Sequence, residues 1–260
     1  MAGKATASVV VLAVVLAALG AAPARGDGYP WATRIGAAER FADQRQGTVS
    51  FAVVDERGEL RGDHVHRVHN SASVVKVMFL VAYLREGGVR RDALTGSEKH
   101  LLGAMIKRSN NDAANEIYER LGNGPLYELA ADAGMEHFTT GPLWGLSEIT
   151  PRDQARFMYS LGRFVPKRHR GYALHLLTRI VDRQRWGIPP VAPGGWRLSF
   201  KGGWSGRPHW RVNQVMLLRR PPRRFSVAIL TRDQPSKVYG ERTIEGVARR
   251  LLEGYNRLTR

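Results

Sequence analysis

The sequence predicts an α/β (α+β) fold, in which a five-stranded antiparallel sheet is flanked by the terminal helices and joined to an all-helical lobe. Three observations lead to this prediction. Segments rich in β-branched and aromatic residues occur near both ends of the 260-residue chain. The long segment between them has helical periodicity, and amphipathic helices precede the first strands and follow the last. One closure satisfies this order: the terminal helices lie together over a single sheet.

The N-terminal part of this sheet and its first helix are predicted from local patterns. Ile35, Ala38 and Phe41 share one face of a helix. The β-branched run that follows is typical of a strand, and a Gly-containing turn leads into an alternating segment that we interpret as its hairpin partner. The predicted elements are a helix over residues 31–44, a strand over 47–55, a turn over 56–59 and a strand over 64–69.

The rest of the chain is predicted to be helical first and then to return to strands. Helical periodicity runs from Ser73 to about Gly187, and Pro221-Pro222 predicts a turn between two apolar strands. The predicted strands cover residues 196–200, which lead into Lys201, and residues 210–218 and 225–230. A closing helix over residues 239–258 places its apolar side chains on one face, namely Ile244, Val247, Leu251, Leu252 and Tyr255.

The first 24 residues have the pattern of a secretory signal peptide. Lys4 is followed by an apolar stretch, and Ala22-Pro23-Ala24 fits a small-residue cleavage site. The alternative is an uncleaved membrane anchor, because the apolar run approaches spanning length. We expect a secreted, extracytoplasmic protein of the cell envelope without a stable membrane span after cleavage. The expected domain is residues 25–260, divided into an α/β lobe (31–70 and 196–258) and a helical lobe (71–195).

Composition limits the chemistry and the partners. The chain has no cysteine, which excludes disulfides, thiolate metal sites and a cysteine nucleophile. His64 and His66 fall on one face of a predicted strand, but no carboxylate follows at metal-ligand spacing, so we expect neither a metal nor a cofactor. The formal net charge of +17 favours an acidic cell-wall polymer as a partner, and the predicted export argues against nucleic acid. The basic clusters are scattered along the sequence, which we interpret as solvated surface.

Ser73-Val74-Val75-Lys76 is the first of three motifs that carry chemistry. Residues three apart share a helix face, so the Lys76 amine is placed to take the hydroxyl proton of Ser73. A helix N-cap serine beside a surface lysine is the alternative. Ser71 is a rival nucleophile, but Val74 occupies the position of its base.

Two further motifs follow in order: Ser109-Asn110-Asn111 at the start of a helix, and Lys201-Gly202-Gly203 at the end of a strand. Ser109 and Asn111 are also candidates for a helix N-cap. Ser-x-x-Lys, Ser-x-Asn and Lys-x-Gly in this order resemble the penicillin-recognising serine enzymes, which comprise class A β-lactamases and D-alanyl-D-alanine peptidases. The resemblance covers roughly residues 31–258. Its other matches are Asp112-Ala113-Ala114-Asn115, Ile149-Thr150-Pro151, and Gly187-Ile188-Pro189 with Trp196.

The resemblance implies a β-lactamase/transpeptidase-like fold and a role for each motif residue. Ser73 is the acylated nucleophile, Lys76 its base or a proton relay, and Ser109 the group that passes a proton to the leaving nitrogen. Lys201 raises the positive potential, which favours a neutral Lys76 and an anionic substrate. Asn111 donates its side-chain amide to the substrate carbonyl. The oxyanion hole is formed by the backbone N–H groups of Ser73 and Trp204.

The sequence departs from the family pattern at two chemically important places. Gly202 replaces a threonine or serine whose hydroxyl binds the substrate carboxylate, and three residues are candidates to compensate: Ser205, Arg207 and Arg211. The Glu-x-x-Leu-Asn segment that carries the deacylating glutamate is missing. Glu136 and Glu148 are the nearest carboxylates, and Glu148 is interpreted as a residue at the start of the helix near Pro151.

The expected function is therefore an exported, monomeric serine acyl-enzyme that attacks a β-lactam or a peptidoglycan-type amide. Acylation without a positioned deacylating base predicts penicillin binding rather than rapid hydrolysis, which limits any part in antibiotic resistance. The alternative is a cell-envelope binding or scaffolding pseudoenzyme with the same fold, for which Gly202 is the motivation.

Overall fold

A five-stranded antiparallel sheet organises the fold of this computed structural model, which describes residue 3, residues 29–206 and residues 209–258. The strands in chain order are β1 (Thr48–Val54), β2 (Leu60–Asp63), β3 (His69–Asn70), β4 (Glu148–Ile149), β5 (Arg197–Ser205), β6 (Arg211–Arg220) and β7 (Arg223–Arg232). The order across the large sheet is β2-β1-β7-β6-β5, so β5 is an edge strand. The predicted antiparallel sheet is confirmed. The predicted signal peptide lies outside the described residues except for Gly3.

The second strand differs from the prediction. It is β2, directly after the turn, and not residues 64–69. The Asp55 carboxylate accepts hydrogen bonds from the backbone N–H groups of Arg57 and Glu59, which closes a tight turn and returns the chain at once. His64 has a φ of 46°, and this left-handed conformation interrupts the strand geometry. His69 instead belongs to β3, which pairs with β4 in a separate two-stranded sheet.

Ten α-helices are assigned within the described ranges. They are α1 (Trp31–Ala42), α2 (Lys76–Arg85), α3 (Gly87–Arg91), α4 (Gly96–Lys107), α5 (Asn111–Leu121), α6 (Gly124–Asp132), α7 (Pro151–Phe164), α8 (Arg170–Thr178), α9 (Lys237–Leu252) and α10 (Tyr255–Leu258). The predicted closing helix is divided into α9 and α10, because Gly254 has a φ of +77°. Within the described part of the chain, no helix combines the length and the apolar character needed to cross a membrane.

An aromatic cluster joins the two ends of the described chain. The ring of Tyr255 lies 4.6 Å from the ring of Phe225 and 5.8 Å from that of Trp31. The Tyr29 hydroxyl donates to the backbone carbonyls of Leu251 and Glu253. Helices α1 and α9 pack together against the sheet, as the apolar faces of both predicted.

Helix α2 forms the centre of the helical part. Its residues from Lys76 to Leu84 are all buried, and it packs against α4, α5 and α6. A helix that is buried on every side needs no polar face, which explains the uninterrupted apolar run after Lys76. A 3-10 turn over Ala72–Val75 precedes α2 and packs against β5 and β6. The start of α2 therefore lies where the helices meet the edge of the sheet.

Candidate active site

Ser73 lies on the 3-10 turn at the mouth of a cleft of about 850 Å³. In a 3-10 turn, side chains three positions apart are aligned, so Ser73 and Lys76 lie on the same side. Ala72 has a φ of 47°, a conformation that costs free energy for a residue with a Cβ. The Ser73 side chain is partly exposed and has no hydrogen bond to another described residue. Ser71 is fully buried and donates its hydroxyl to the Ala72 carbonyl, so it does not face the cleft.

The residues that line the cleft come from four segments of the chain. They are Ala72, Ser73, Asn111, Asn115, Tyr118, Glu119, Pro142, Leu143, Trp144, Gly145, Leu146, Trp204, Ser205 and Arg211. Two of the predicted binding residues, Ser205 and Arg211, are also paired across β5 and β6, with the Arg211 guanidinium donating to the Ser205 Oγ at 3.4 Å. Arg207 lies outside the described residues.

Lys76 is bound by three acceptors at the start of α5. Its Nζ donates to the backbone carbonyl of Ser109 at 2.8 Å, to that of Asn110 at 3.2 Å and to the Oδ1 of Asn111 at 2.7 Å. These bonds use all three hydrogens of an ammonium group. The expected hydrogen bond from Lys76 to Ser73 is not made in this arrangement. Loss of one proton would leave two hydrogens for three acceptors and free a lone pair for Ser73.

The environment of Lys76 favours this loss of a proton. Burial lowers the pKa of the Lys76 amine from 10.5 to about 7, because the charged form loses its hydration. The Nζ atom also lies 4.9 Å from the ring centre of Trp144, on the loop before β4. The Trp144 indole in turn donates to the Oδ1 of Asn115 at 2.8 Å. The base is thus covered by an aromatic ring that a side chain of α5 holds in place.

Lys201 links the edge strand to the second motif. Its side chain is fully buried, and its Nζ donates to the Oγ of Ser109 at 2.9 Å and to the carbonyl of Gly202 at 2.6 Å. Burial, and then the positive charge of Lys76, hold the pKa of Lys201 well below its usual range. Two buried amines therefore bind Ser109, Lys201 at its hydroxyl oxygen and Lys76 at its backbone carbonyl.

The second motif divides its roles between its three residues. Asn110 is the N-cap of α5, since its Oδ1 accepts from the backbone N–H of Ala113 at 2.7 Å. Neither Ser109 nor Asn111 fills that position, although both were candidates. Ser109 has a φ of 56°, and this bend turns its hydroxyl to Lys201 while its carbonyl faces Lys76. Asn111 uses its Oδ1 for Lys76, which leaves its amide hydrogens free for a substrate carbonyl.

Gly203 allows β5 to pass directly against the turn that carries Ser73. A Cβ added at Gly203 would lie 2.7 Å from the backbone nitrogen of Ser73 and 2.8 Å from that of Val74. Those are backbone atoms that cannot rotate away, so only glycine fits here. The close approach brings the backbone of Ser73 and that of Trp204, the neighbour of Gly203, to one corner of the cleft. This is the corner where the oxyanion hole was predicted.

Gly202 faces the other side of β5 and is covered by Trp186. A Cβ added at Gly202 would lie 2.8 Å from the Cζ2 of the indole ring. Trp186 also packs edge-on against Trp204, with ring centres 6.1 Å apart. The replacement of the family's threonine or serine is therefore coupled to a tryptophan that occupies the space of the missing side chain.

The two predicted candidates for a deacylating carboxylate lie away from the cleft. Glu136 pairs with His66 at 2.9 Å and with Arg152 at 2.8 Å. Glu148 lies in β4 and is bound to His137 at 3.0 Å, and the N-cap of α7 is Thr150. Neither glutamate lines the cleft, where the only carboxylate among the described lining residues is that of Glu119, on an exposed turn of α5.

Two contributors to the site had no assigned role in the sequence analysis. Trp144 and Trp186 both lie in loops and contact the motif residues only through tertiary packing. A tryptophan in a glycine- and proline-containing loop was the one available signal, as in Gly141-Pro142-Leu143-Trp144-Gly145. Among the described residues, no group of three or more histidines and carboxylates has the geometry to hold a metal ion.

The chain matches one family model and shares its fold with solved β-lactamases. The model of a family described as the beta-lactamase enzyme family matches residues 86–255. A comparison with curated proteins found no significant match. A β-lactamase from Sphaerobacter thermophilus is 23% identical with a TM-score of 0.75, over 88% of this chain and 98% of that one. A class A β-lactamase from Mycobacterium abscessus is 19% identical with a TM-score of 0.72, over 86% and 99%. A β-lactamase from Xanthomonas campestris is 14% identical with a TM-score of 0.72, over 84% and 96%.

Proposed function

This chain belongs to the beta-lactamase enzyme family, and on that premise we propose that it is a serine acyl-enzyme that attacks a β-lactam or a peptidoglycan-type amide with Ser73. One observation carries the proposal. Lys76 donates to the Ser109 carbonyl and to Asn111, and Lys201 donates to the Ser109 hydroxyl, which makes one continuous set of hydrogen bonds. This set lies beside Ser73, whose free hydroxyl lines the same cleft as Asn111. A serine needs such a neighbouring base to become a nucleophile.

These residues can supply and accept every proton that moves in the acylation step. The Ser73 Oγ attacks the carbonyl carbon, a C–O bond forms, and the hydroxyl proton passes to neutral Lys76. The C–N bond then breaks, and the nitrogen takes a proton from the Ser109 hydroxyl. Lys201 donates to the Ser109 oxygen, so the hydroxyl hydrogen of Ser109 is not used in that bond and is available for transfer. Ser109 recovers its proton from Lys76, which returns that base to its neutral form.

The acyl-enzyme is proposed to be long-lived. Its hydrolysis requires a base that activates water near Ser73, and Glu136 and Glu148 are both held by cationic or histidine partners outside the cleft. The place above Lys76 is taken by the apolar ring of Trp144. We propose that the protein reacts with penicillins in a nearly stoichiometric manner and turns them over slowly.

Intact-protein mass spectrometry with benzylpenicillin tests this function. We expect one adduct of the full penicillin mass, because ring opening expels no group, and its loss in Ser73→Ala. Ser71→Ala is the matched control and keeps the adduct, since that hydroxyl is buried against Ala72. An adduct that survives in Ser73→Ala, or none in the wild-type protein, contradicts the proposal.

The pseudoenzyme alternative has one observation in its favour. Trp186 fills the space beside Gly202, where the family carries a hydroxyl for the substrate carboxylate. In the enzyme proposal, Arg211 and Ser205 bind the substrate carboxylate instead. These two residues are paired across β6 and β5 and both line the cleft. The absence of any adduct in the folded wild-type protein would favour the pseudoenzyme.

Export and a cell-envelope location remain part of the proposal. Their support is the signal-like pattern of residues 1–24, which lies outside the described residues apart from Gly3. N-terminal sequencing of the protein recovered from its native envelope tests cleavage after Ala24. An N-terminus at Met1 in the envelope fraction would instead indicate a retained anchor.

A further inference from the structure

We propose that this protein has a second binding site, for a phosphate-bearing anion, in two adjoining cavities that are lined by α8. The cavities have volumes of about 490 Å³ and 660 Å³ and share His175 and Arg179. We call them together the cationic cavity. Its basic lining side chains are Lys99, Lys107, Arg108, His175, Arg179, Arg197 and Arg219.

The cationic cavity is a product of the tertiary structure. Its basic residues come from α4 and the residue after it, from α8 and its end, and from the outer ends of β5 and β6. In the sequence, adjacent basic residues mark only two parts of this lining, Lys107-Arg108 and Arg219-Arg220. The interpretation of the basic charge as scattered surface is therefore wrong at this place, because residues far apart in sequence converge.

The pairing of two arginines shows that this charge is unfavourable without a ligand. Arg197 and Arg219 are directly opposite each other in the β5–β6 register. Like charges at opposed positions destabilise a sheet. Burial, and then the charge of Arg197, lower the pKa of the Arg219 guanidinium. An acidic or neutral residue opposite Arg219 would avoid this repulsion, but the residue at that position is Arg197.

The guanidinium of Arg219 is also incompletely satisfied. Its Nη2 donates to the Oγ of Ser199 at 3.3 Å, while its buried Nε has no hydrogen-bond partner among the described residues. A buried donor without an acceptor is unfavourable, because it loses its hydrogen bond to water and gains none in the protein. An anion in the adjoining cavity would supply the missing acceptor and would relieve the repulsion from Arg197.

The lining contains no carboxylate that could neutralise these charges. None of the six lysines and arginines of the cationic cavity makes an ion pair with a described acidic residue. Arginine binds phosphate through two parallel N–H donors. Several cations around one space match the higher negative charge of a phosphate better than that of a single carboxylate. Two cavities that share His175 and Arg179 provide room for two linked phosphate groups.

The cationic cavity is separate from the cleft. The two sites share no lining residue. Arg197 and Lys201 are four residues apart on β5, a rise of about 13 Å along a strand. Binding in the cationic cavity therefore does not require the proposed acylation of Ser73, and each proposal can fail without the other.

Isothermal titration calorimetry with inorganic pyrophosphate at low ionic strength, without divalent metal, tests the site. We expect saturable binding at one site, weakened at least tenfold in Arg179→Gln/Arg197→Gln. Both arginines are exposed, so the variant is expected to fold, which an unchanged circular dichroism spectrum and an unchanged urea unfolding midpoint check. The matched control is Arg90→Gln/Arg91→Gln, which removes the same charge from the exposed end of α3 and should leave the affinity within twofold.

A second titration distinguishes the sources of the phosphate. An oligomer of glycerol phosphate joined by phosphodiesters represents a wall-type polymer, and pyrophosphate represents a free small molecule. Binding of both identifies a polymer site, and binding of pyrophosphate alone identifies a small-molecule site. The proposal is overturned if neither binds, or if the two double variants weaken binding equally, since the latter indicates only diffuse attraction by the net charge.

Discussion

Lys201 donates a hydrogen bond from its Nζ to the Oγ of Ser109 at 2.9 Å, although the two residues lie 92 positions apart in sequence. The bond joins the edge strand of the sheet to the turn before α5. It fixes the direction of the Ser109 hydroxyl, because the oxygen lone pair is engaged and the hydrogen is not. In the proposed mechanism, this leaves the Ser109 hydroxyl hydrogen available to the leaving nitrogen before any substrate is present.

The rate of acylation should rise with pH as Lys76 loses its proton. The buried amine has a pKa of about 7, so the neutral base prevails above that pH. Below it, the rate of penicillin labelling should fall about tenfold per pH unit. Labelling measured by mass spectrometry between pH 5 and 9 checks the profile, and Lys76→Met should abolish both the rate and its pH dependence. A flat profile in the wild-type protein would rule out Lys76 as the base.

Replacement of either candidate glutamate should leave the acyl-enzyme unaffected. Glu136 and Glu148 are occupied by His66, Arg152 and His137 and do not line the cleft. We expect Glu136→Gln and Glu148→Gln to keep the half-life of the penicillin adduct within twofold of the wild-type value. A half-life at least tenfold longer in one variant would identify that residue as the deacylating base after all.

Removal of the Trp144 ring should shorten the life of the acyl-enzyme. The indole covers Lys76 at 4.9 Å and limits access of water to the base. Trp144→Ala opens that space, and we expect the adduct to hydrolyse several-fold faster, with Lys76 activating the water. Trp144→Phe is the control, since it keeps an aromatic cover and loses only the hydrogen bond to Asn115. Equal half-lives in both variants and in the wild type would contradict this role.

Gly202 and Trp186 should be energetically coupled. A threonine at position 202 would place its Cβ 2.8 Å from the indole, so Gly202→Thr alone should destabilise the fold by about 1–3 kcal/mol. In Trp186→Leu/Gly202→Thr the clash is removed, and the double variant should be more stable than the sum of the single effects. Urea unfolding of the four proteins measures the coupling. Additive free energies of unfolding would show that the two residues do not compete for space.

Acid should destabilise the protein through His69. This residue is buried against the Ser50 hydroxyl, and burial, followed by the charges of Arg232 and Arg67, lowers its pKa from 6.5 to about 3. The unfolded chain therefore binds a proton between pH 6.5 and 3 that the folded chain does not, and stability falls as the pH falls through this window. From pH 7 to 5 this group should remove about 2 kcal/mol.

The matched variant for this effect is His69→Gln, which has no ionisable group and keeps an amide near Ser50. Urea unfolding at pH 7 and pH 5 should show a difference in the free energy of unfolding that is smaller in the variant by about 2 kcal/mol. An identical pH dependence in both proteins would mean that His69 is protonated in the folded state.

Most of the sheet was predictable because its strands are long and strongly patterned. The helix over residues 31–44 and the strands that became β1, β6 and β7 follow local periodicity closely. The prediction of a strand over 64–69 was wrong because the Asp55 carboxylate accepts two backbone hydrogen bonds that return the chain earlier, and no alternation of residues reveals these bonds. The pair β3 and β4 is two residues long on each side and is held by tertiary contacts.

The candidate site likewise has a part that the sequence predicted and a part that only the tertiary structure reveals. Three short motifs identified the residues that the structure brings together around Ser73, since their spacing is a property of the chain. The cover of Trp144 over Lys76 and of Trp186 over Gly202 joins loops to distant motifs, so their spacing in sequence carries no signal. The cationic cavity was missed for the same reason, because Arg197 and Arg219 become neighbours only through strand pairing.

The aromatic cluster around Tyr255 has a consequence for protein engineering. It holds Tyr29, which precedes α1, beside Tyr255, which follows α9. The two ends of the main described segment are therefore close in space. A short linker between these points would create a circular permutant with new termini at the exposed glycine pair that begins α3, Gly87-Gly88. In such a permutant the acylation chemistry would be retained, while both old ends would become the interior of one continuous polypeptide.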